Sequence, residues 1–134
     1  MDCIFCKIIN KEIPNYTVYE DENVLAFLDI FPHALGHTVV IPKKHFETPL
    51  EMSVEEFKNF SAGLKNSLDK VETVLKPAGY NVGWNQSEAG GQVVPHLHVH
   101  MLPRYADDGG GNMHSIVKNA GNKSPKELFE LFQK

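Results

Sequence analysis

The stretch VVPHLHVHMLPR, Val93 to Arg104, constrains this chain more than any other. Leu97, Val99 and Met101 alternate with His96, His98 and His100, and a period of two fits an extended strand, on which alternate side chains face the same way. The apolar row demands a core on one side, which pins the register, and the other side then carries three imidazoles spaced about 7 Å apart. A chain that places three of its seven histidines in one such row points to chemistry rather than solvation.

The surrounding pattern supplies the rest of a sheet. Residues 16–31, YTVYEDENVLAFLDIF, hold two β-branched and aromatic runs around Asp21-Glu22-Asn23 and read as a hairpin, and HTVVIP (37–42) reads as a third strand. In SVEEFKNFSAGLKNSLDKVETVLKP, Ser53 and Glu56 form a capping box, and Val54, Phe57, Phe60, Leu64, Leu68, Val71 and Leu75 recur at spacings of three and four. This predicts a long amphipathic helix stopped by Pro77 and Gly79. YNVGWNQ is then a fourth strand, SEAGG a turn, and QVVPHLHVHMLP a fifth strand antiparallel to it, which brings Asn85 near the histidines. SPKELFELFQK, with Ser124, Pro125 and Glu127, carries the start signals of a closing helix. Gly109 to Gly111 are not followed by Gly-Lys-Ser/Thr, so they read as a flexible loop and not a phosphate cradle. The expectation is an α+β domain over residues 1–134: an antiparallel sheet of about five strands, one long helix and a C-terminal helix.

Composition excludes several function classes. Net charge is −4 and no basic block exceeds Lys43-Lys44, which argues against a nucleic-acid surface and leaves any phosphate ligand to be caught by geometry. The beginning MDCIFCKIINKEIP lacks the features of a signal peptide and no apolar run reaches membrane-spanning length, so the expectation is a cytoplasmic protein with no membrane partner. Cys3 and Cys6 form a C-x-x-C pair; in a reducing compartment this reads as metal ligands rather than a structural disulfide, and the flanking pattern does not suit a redox dithiol.

Two chemistries suit the histidine row. The three imidazoles could hold a catalytic zinc with an open position for water. Alternatively the central one is a nucleophile toward phosphorus, its far nitrogen holding a proton that a fixed acceptor orients. The residues alone leave both open.

HLHVHML resembles the signature of the histidine triad (HIT) family, and CIFCKIINKEIP, VLAFLDIFPHALGHTVVIPKKHF and GYNVGWNQSEAGGQVVPHLHVHMLPR follow that family's pattern in order, from Cys3 to Arg104. Residues 105–134 correspond to a part that varies in the family. The resemblance implies a homodimeric HIT-like fold that hydrolyses or transfers nucleoside monophosphates by attack on an α-phosphate. His98 then matches the nucleophile, His100 its phosphate-contacting neighbour and His37 a further histidine of the pocket, with the carbonyl of His96 accepting the proton-bearing nitrogen of His98. Asn85 and Gln92, with backbone N–H groups of the Gly90-Gly91 turn, match phosphate-binding positions, and Asp29 matches the acid that accepts from the ribose hydroxyls. Phe5, Ile8, Leu28 and Ile30 match the slot for the base. Val93 departs from the pattern: many members carry a small hydroxyl residue there, and valine cannot donate, which leaves the leaving-group preference open.

Some members, including the more distant uridylyltransferases, bind zinc through positions that correspond here to Cys3, Cys6, His45 and His96, a Cys₂His₂ set suited to a closed structural site. No organic cofactor is implied. The resemblance thus points to a hydrolase of nucleotide phosphoramidates or dinucleoside polyphosphates, with a purine nucleotide as substrate and a nucleotidyl-histidine intermediate. Its alternatives are a nucleotidyltransferase or phosphorylase, a hydrolase using the triad as zinc ligands, and a nucleotide-binding adaptor. His33 and His114 match no such role and read as solvent-exposed.

Overall fold

A computed structural model describes residues 2–133. Its elements follow the sequence pattern with one addition, a short N-terminal helix, giving the order α1 (Ile4–Ile9), β1 (Thr17–Glu20), β2 (Val24–Leu28), β3 (Thr38–Pro42), α2 (Val54–Leu75), β4 (Gly79–Gly83), β5 (Val99–Arg104) and α3 (Pro125–Leu131). The five strands form one sheet in the order β1-β2-β3-β5-β4, antiparallel at every pairing. The architecture is α+β. Among the described residues, no helix is long and apolar enough to cross a membrane.

Helix α2 starts at the Ser53/Glu56 capping box and ends where Lys76 adopts a left-handed conformation (φ 48°) ahead of Pro77. The middle of its apolar stripe, Phe60 and Val71, packs with Val24, Ala26, Val40, Leu97, Val99 and Met101 into one core, whereas Val54 at its start stays 89% exposed. Gly63 sets how closely helix meets sheet, because a β-carbon there would overlap the Val24 side chain. The opposite face of the sheet carries a second core of Ile8, Leu25, Phe27, Val39 and Ile41 under α1. Both faces of β2 and β3 are therefore buried, which is why these strands read as continuous apolar runs.

The ladder of β5 is shorter than the sequence pattern suggests. It begins at Val99, so of the triad only His100 sits in hydrogen-bonded strand; β4 likewise ends at Gly83, before Trp84-Asn85-Gln86. The reason lies in the backbone partners. Leu97 N–H donates to the Phe46 carbonyl at 2.6 Å and His96 N–H to Val94 at 2.8 Å, while Pro95 has no N–H to offer. The alternation survives this change of partner: Leu97, Val99 and Met101 remain in the core, and His98 and His100 face the other way.

Helix α1 lay outside the sequence pattern because six residues carry too little periodicity to show. Its N-cap is Cys3, whose sulfur accepts from Cys6 N–H, so the C-x-x-C spacing is also a helix start. Residues 106–133 are exposed throughout, although Ser124 and Glu127 form the expected capping box on α3.

Candidate functional site

Backbone groups of fixed polarity orient His98 and His37 directly, and His100 through His37, and this determines their protonation pattern. His98 Nδ1 lies 2.8 Å from the His96 carbonyl; an oxygen can only accept, so Nδ1 carries the proton and Nε2 keeps its lone pair. His33 N–H donates to His37 Nδ1 at 3.1 Å, which leaves the proton of the neutral His37 ring on Nε2. That nitrogen lies 2.9 Å from His100 Nδ1, so His100 accepts there and carries its own proton on Nε2. The outcome is two unlike nitrogens side by side, a lone pair on His98 and an N–H donor on His100. Burial, followed by the nearby His98 and His37 rings, holds His100 down to about 4, and burial lowers His37 as well. Both are neutral at pH 7.

His98 and His100 line a cavity of about 780 Å³ whose wall also includes Asn85, Gly91 and Val93. Asp29 lies on the same wall; it accepts from Phe31 N–H at 2.8 Å and its other oxygen is 3.6 Å from His37 Nε2. Phe5, Ile8, Leu28 and Ile30 form the apolar end. Phe5 has a further contact, its ring centroid 5.1 Å from that of His98 and 5.8 Å from that of His96, so it steadies the histidines as well as lining the cavity. His33 is exposed as expected, yet it lies on the cavity wall. His114 is exposed.

The glycine turn differs from the sequence expectation. The Gly90, Gly91 and Gln92 N–H groups all donate to carbonyls within the loop, those of Ser87 and Glu88, and are not free for a phosphate. The Gln92 side chain is similarly committed: Oε1 accepts from Ser87 N–H at 2.8 Å, and Nε2 donates to the Glu47 and Val94 carbonyls at 2.8 and 3.1 Å. It braces a loop in which Ser87 holds an unusual positive φ of 61°, a conformation costing about 1–3 kcal/mol that needs such support. Among the described residues, the N–H groups of Val93 and Val94 have no partner in the chain, and both residues line the cavity. Sequence reasoning missed them because a backbone donor leaves no mark on residue identity.

The third triad member faces elsewhere. His96 is fully buried; its Nε2 donates to the Pro42 carbonyl at 2.9 Å, and its Nδ1 therefore presents a lone pair to Cys3 Sγ at 3.4 Å, Cys6 Sγ at 3.7 Å and His45 Nδ1 at 3.1 Å. Cys6 Sγ is also 3.3 Å from His45 Nδ1. Tetrahedral zinc bonded to two sulfurs and two nitrogens has edges of roughly 3.3–3.8 Å, so the four side chains fit a metal of this kind. The Pro42 carbonyl is the outer hydrogen bond that orients such a ligand. Burial, followed by Cys3, pushes the Cys6 thiol up to about 11; that thiol stays protonated at neutral pH unless a cation displaces its proton. Among the described residues, the possible ligand sets are Cys3, Cys6, His45 and His96, and separately Asp29, His37 and His100. Neither unites the triad, so the geometry speaks against one catalytic zinc held by all three histidines.

Comparisons with known proteins agree with this arrangement. Residues 10–107 match the family model of the HIT domain. An uncharacterized HIT-like protein of Methanocaldococcus jannaschii is 50% identical over 117 residues, spanning 87% of this chain and 90% of its own length. The adenosine 5'-monophosphoramidase of Schizosaccharomyces pombe is 39% identical over 104 residues, 78% of this chain and 75% of its own. The crystal structure of a HIT family member from Bacillus subtilis superposes with a TM-score of 0.86 at 40% identity, covering 99% of this chain and 94% of that one. With the family model spanning all five strands and the histidine row in place, the chain belongs to the histidine triad family.

Proposed function

We propose that this protein is a nucleotide hydrolase acting at an α-phosphate through a nucleotidyl-histidine. The observation that carries the reading is the 2.8 Å contact between His98 Nδ1 and the His96 carbonyl, which leaves the Nε2 lone pair available to a cavity large enough for a nucleotide. In the first displacement His98 Nε2 forms a bond to phosphorus and the bond to an amine or nucleotide leaving group breaks; in the second, water cleaves the phosphorus–nitrogen bond and releases a nucleoside monophosphate. The carbonyl of His96 stabilises the charge that develops on the His98 ring. His100 Nε2–H, the Asn85 side chain and the Val93 and Val94 N–H groups supply donors to the phosphate oxygens, and Gln92 acts on that loop from behind.

Asp29 accepts from the ribose, and Phe5, Ile8, Leu28 and Ile30 hold the base. Adenine is the favoured base because the slot is apolar and a relative in Schizosaccharomyces pombe is named as an adenosine 5'-monophosphoramidase. Cys3, Cys6, His45 and His96 hold zinc, which when bound crosslinks α1 to the segment that carries His98 and takes no part in the phosphate chemistry. The exposed Leu50 and Val54 and the outer position of β4 support a homodimer; a monomer mass by light scattering at micromolar concentration refutes that part.

Intact-protein mass spectrometry after brief mixing with an adenosine phosphoramidate, quenched without acid, tests the mechanism. The expected result is a transient adduct of one nucleoside monophosphate that maps to His98 and is absent from His98→Ala. Wild-type turnover in His98→Ala overturns it.

A further inference from the structure

Helix α1 stands between two sites. Cys3 at its N-cap and Cys6 one turn on belong to the Cys₂His₂ set, whose four ligand atoms lie within 4.8 Å of one another. Phe5 and Ile8, on the same six-residue helix, belong to the apolar end of the nucleotide cavity. Phe5 also packs its ring against His98, with centroids 5.1 Å apart, and against Phe27 at 6.0 Å. A helix this short does not hold itself together in water, so its position depends on what ties it down. Those ties are Ile8 in the core of that sheet face and the contacts of the two sulfurs with His45 and His96.

We infer that the Cys3–Cys6 pair is a redox switch on the nucleotide site, thrown by a hydroperoxide; for its output the inference rests on the hydrolase reading above. The two sulfurs differ in access, Cys3 being 5% exposed and Cys6 half-buried. A metal held by the set keeps both sulfurs as thiolates, the form that attacks a peroxide oxygen. The Cys6 thiolate takes one oxygen and becomes a sulfenic acid, and the other peroxide oxygen leaves as hydroxide or alkoxide. Cys3 then attacks the Cys6 sulfur, the sulfur–oxygen bond breaks and a hydroxide leaves, so two thiolates are oxidised to one disulfide and one peroxide is reduced. Cys3 has an extended backbone (φ −108°, ψ 121°), so its side chain can turn toward Cys6 without unwinding the helix. A disulfide within one turn ties α1 only to itself. His45 and His96 are left as two imidazoles, too few to hold a zinc ion tightly, and the link from α1 to the sheet is lost. His96 still bonds the Pro42 carbonyl and His98 the His96 carbonyl, so turnover falls through a loosened base slot and a loosened Phe5 rather than being abolished.

The test treats the zinc-loaded protein with hydrogen peroxide and follows zinc released to a chromophoric chelator, a Cys3–Cys6 crosslink by peptide mass mapping, and kcat/KM on an adenosine phosphoramidate. The expected result is one zinc released per crosslink formed, kcat/KM falling in step by about ten-fold or more, and reversal of all three on adding a dithiol reductant and zinc. Cys3→Ser keeps a hydroxyl cap on α1 but lacks the second sulfur; it should form no crosslink, and its kcat/KM should stay low with or without reductant. Failure to take up zinc, zinc kept through peroxide treatment, a crosslink with unchanged kcat/KM, or a loss that reductant and zinc do not reverse overturns the switch and leaves the hydrolase reading standing. Wild-type kcat/KM in Cys3→Ser does the same, and if that variant does not fold the three readouts on the wild-type chain decide alone. No turnover by the untreated protein overturns the hydrolase reading and the switch with it.

Discussion

Replacing His37 tests whether the proton pattern of the histidine row matters to the chemistry. His37 is 3% exposed and bridges two groups: it accepts from His33 N–H at 3.1 Å and donates to His100 Nδ1 at 2.9 Å. His37→Leu removes both bonds, so His100 is free to carry its proton on Nδ1 and lose its donor toward the substrate. A net hydrogen bond of about 1 kcal/mol biases the two tautomers by roughly five-fold, and loss of ring orientation adds up to about 100-fold more. The expected fall in kcat is therefore between about five-fold and several hundred-fold. Stability should drop by about 1–3 kcal/mol, since the His33 N–H and the half-buried His100 Nδ1 both lose a partner. His37→Gln, whose amide nitrogen can still donate to His100, should recover most of kcat. Single-turnover rates on an adenosine phosphoramidate, with urea unfolding of each variant, measure both effects. Wild-type kcat in His37→Leu, or equal losses in the Leu and Gln variants, refutes the reasoning.

Two further outcomes follow from the same geometry. The purified chain should carry one zinc per molecule by elemental mass spectrometry, and Cys6→Ser or a strong chelator should remove it and lower the thermal midpoint by several degrees, because a ligand bound only by the folded state stabilises it; metal-free protein with an unchanged midpoint contradicts the assignment. Acid should destabilise the fold through His100, whose ring is held at about 4 by burial, against about 6.5 in an unfolded chain. Between those values the unfolded chain binds the extra proton, so stability falls as pH drops through that window, by up to about 3 kcal/mol. Urea midpoints at pH 7 and pH 4.5 that coincide, or that separate equally in His100→Gln, would count against this.

Much of the molecule was legible in one dimension because its strongest signals are periodic or local. The apolar alternation at Leu97, Val99 and Met101 demands one buried strand face in any fold, and the three-and-four spacing from Phe57 to Val71 demands a helix that covers it. Capping boxes at Ser53 and Ser124 act within a single turn, so residue identities suffice to place those helix starts. The candidate site was visible as a set of residue types through its resemblance to a family, including the four side chains that fit a zinc ion.

What the tertiary structure decided is direction. Nothing in HLHVH says that His96 faces two cysteines ninety residues away in the chain while His98 and His100 face a cavity; that division depends on which backbone carbonyls, Pro42 and His96, lie beside each ring. The same holds for Gln92, which by residue type could meet a phosphate but spends its amide on the Glu47 and Val94 carbonyls, and for Val93 and Val94, whose available groups are backbone N–H. A sequence specifies which groups exist and which faces must be buried. Which nitrogen carries a proton, and where it points, is set by hydrogen bonds to backbone atoms from distant parts of the chain, and only folding brings those atoms together.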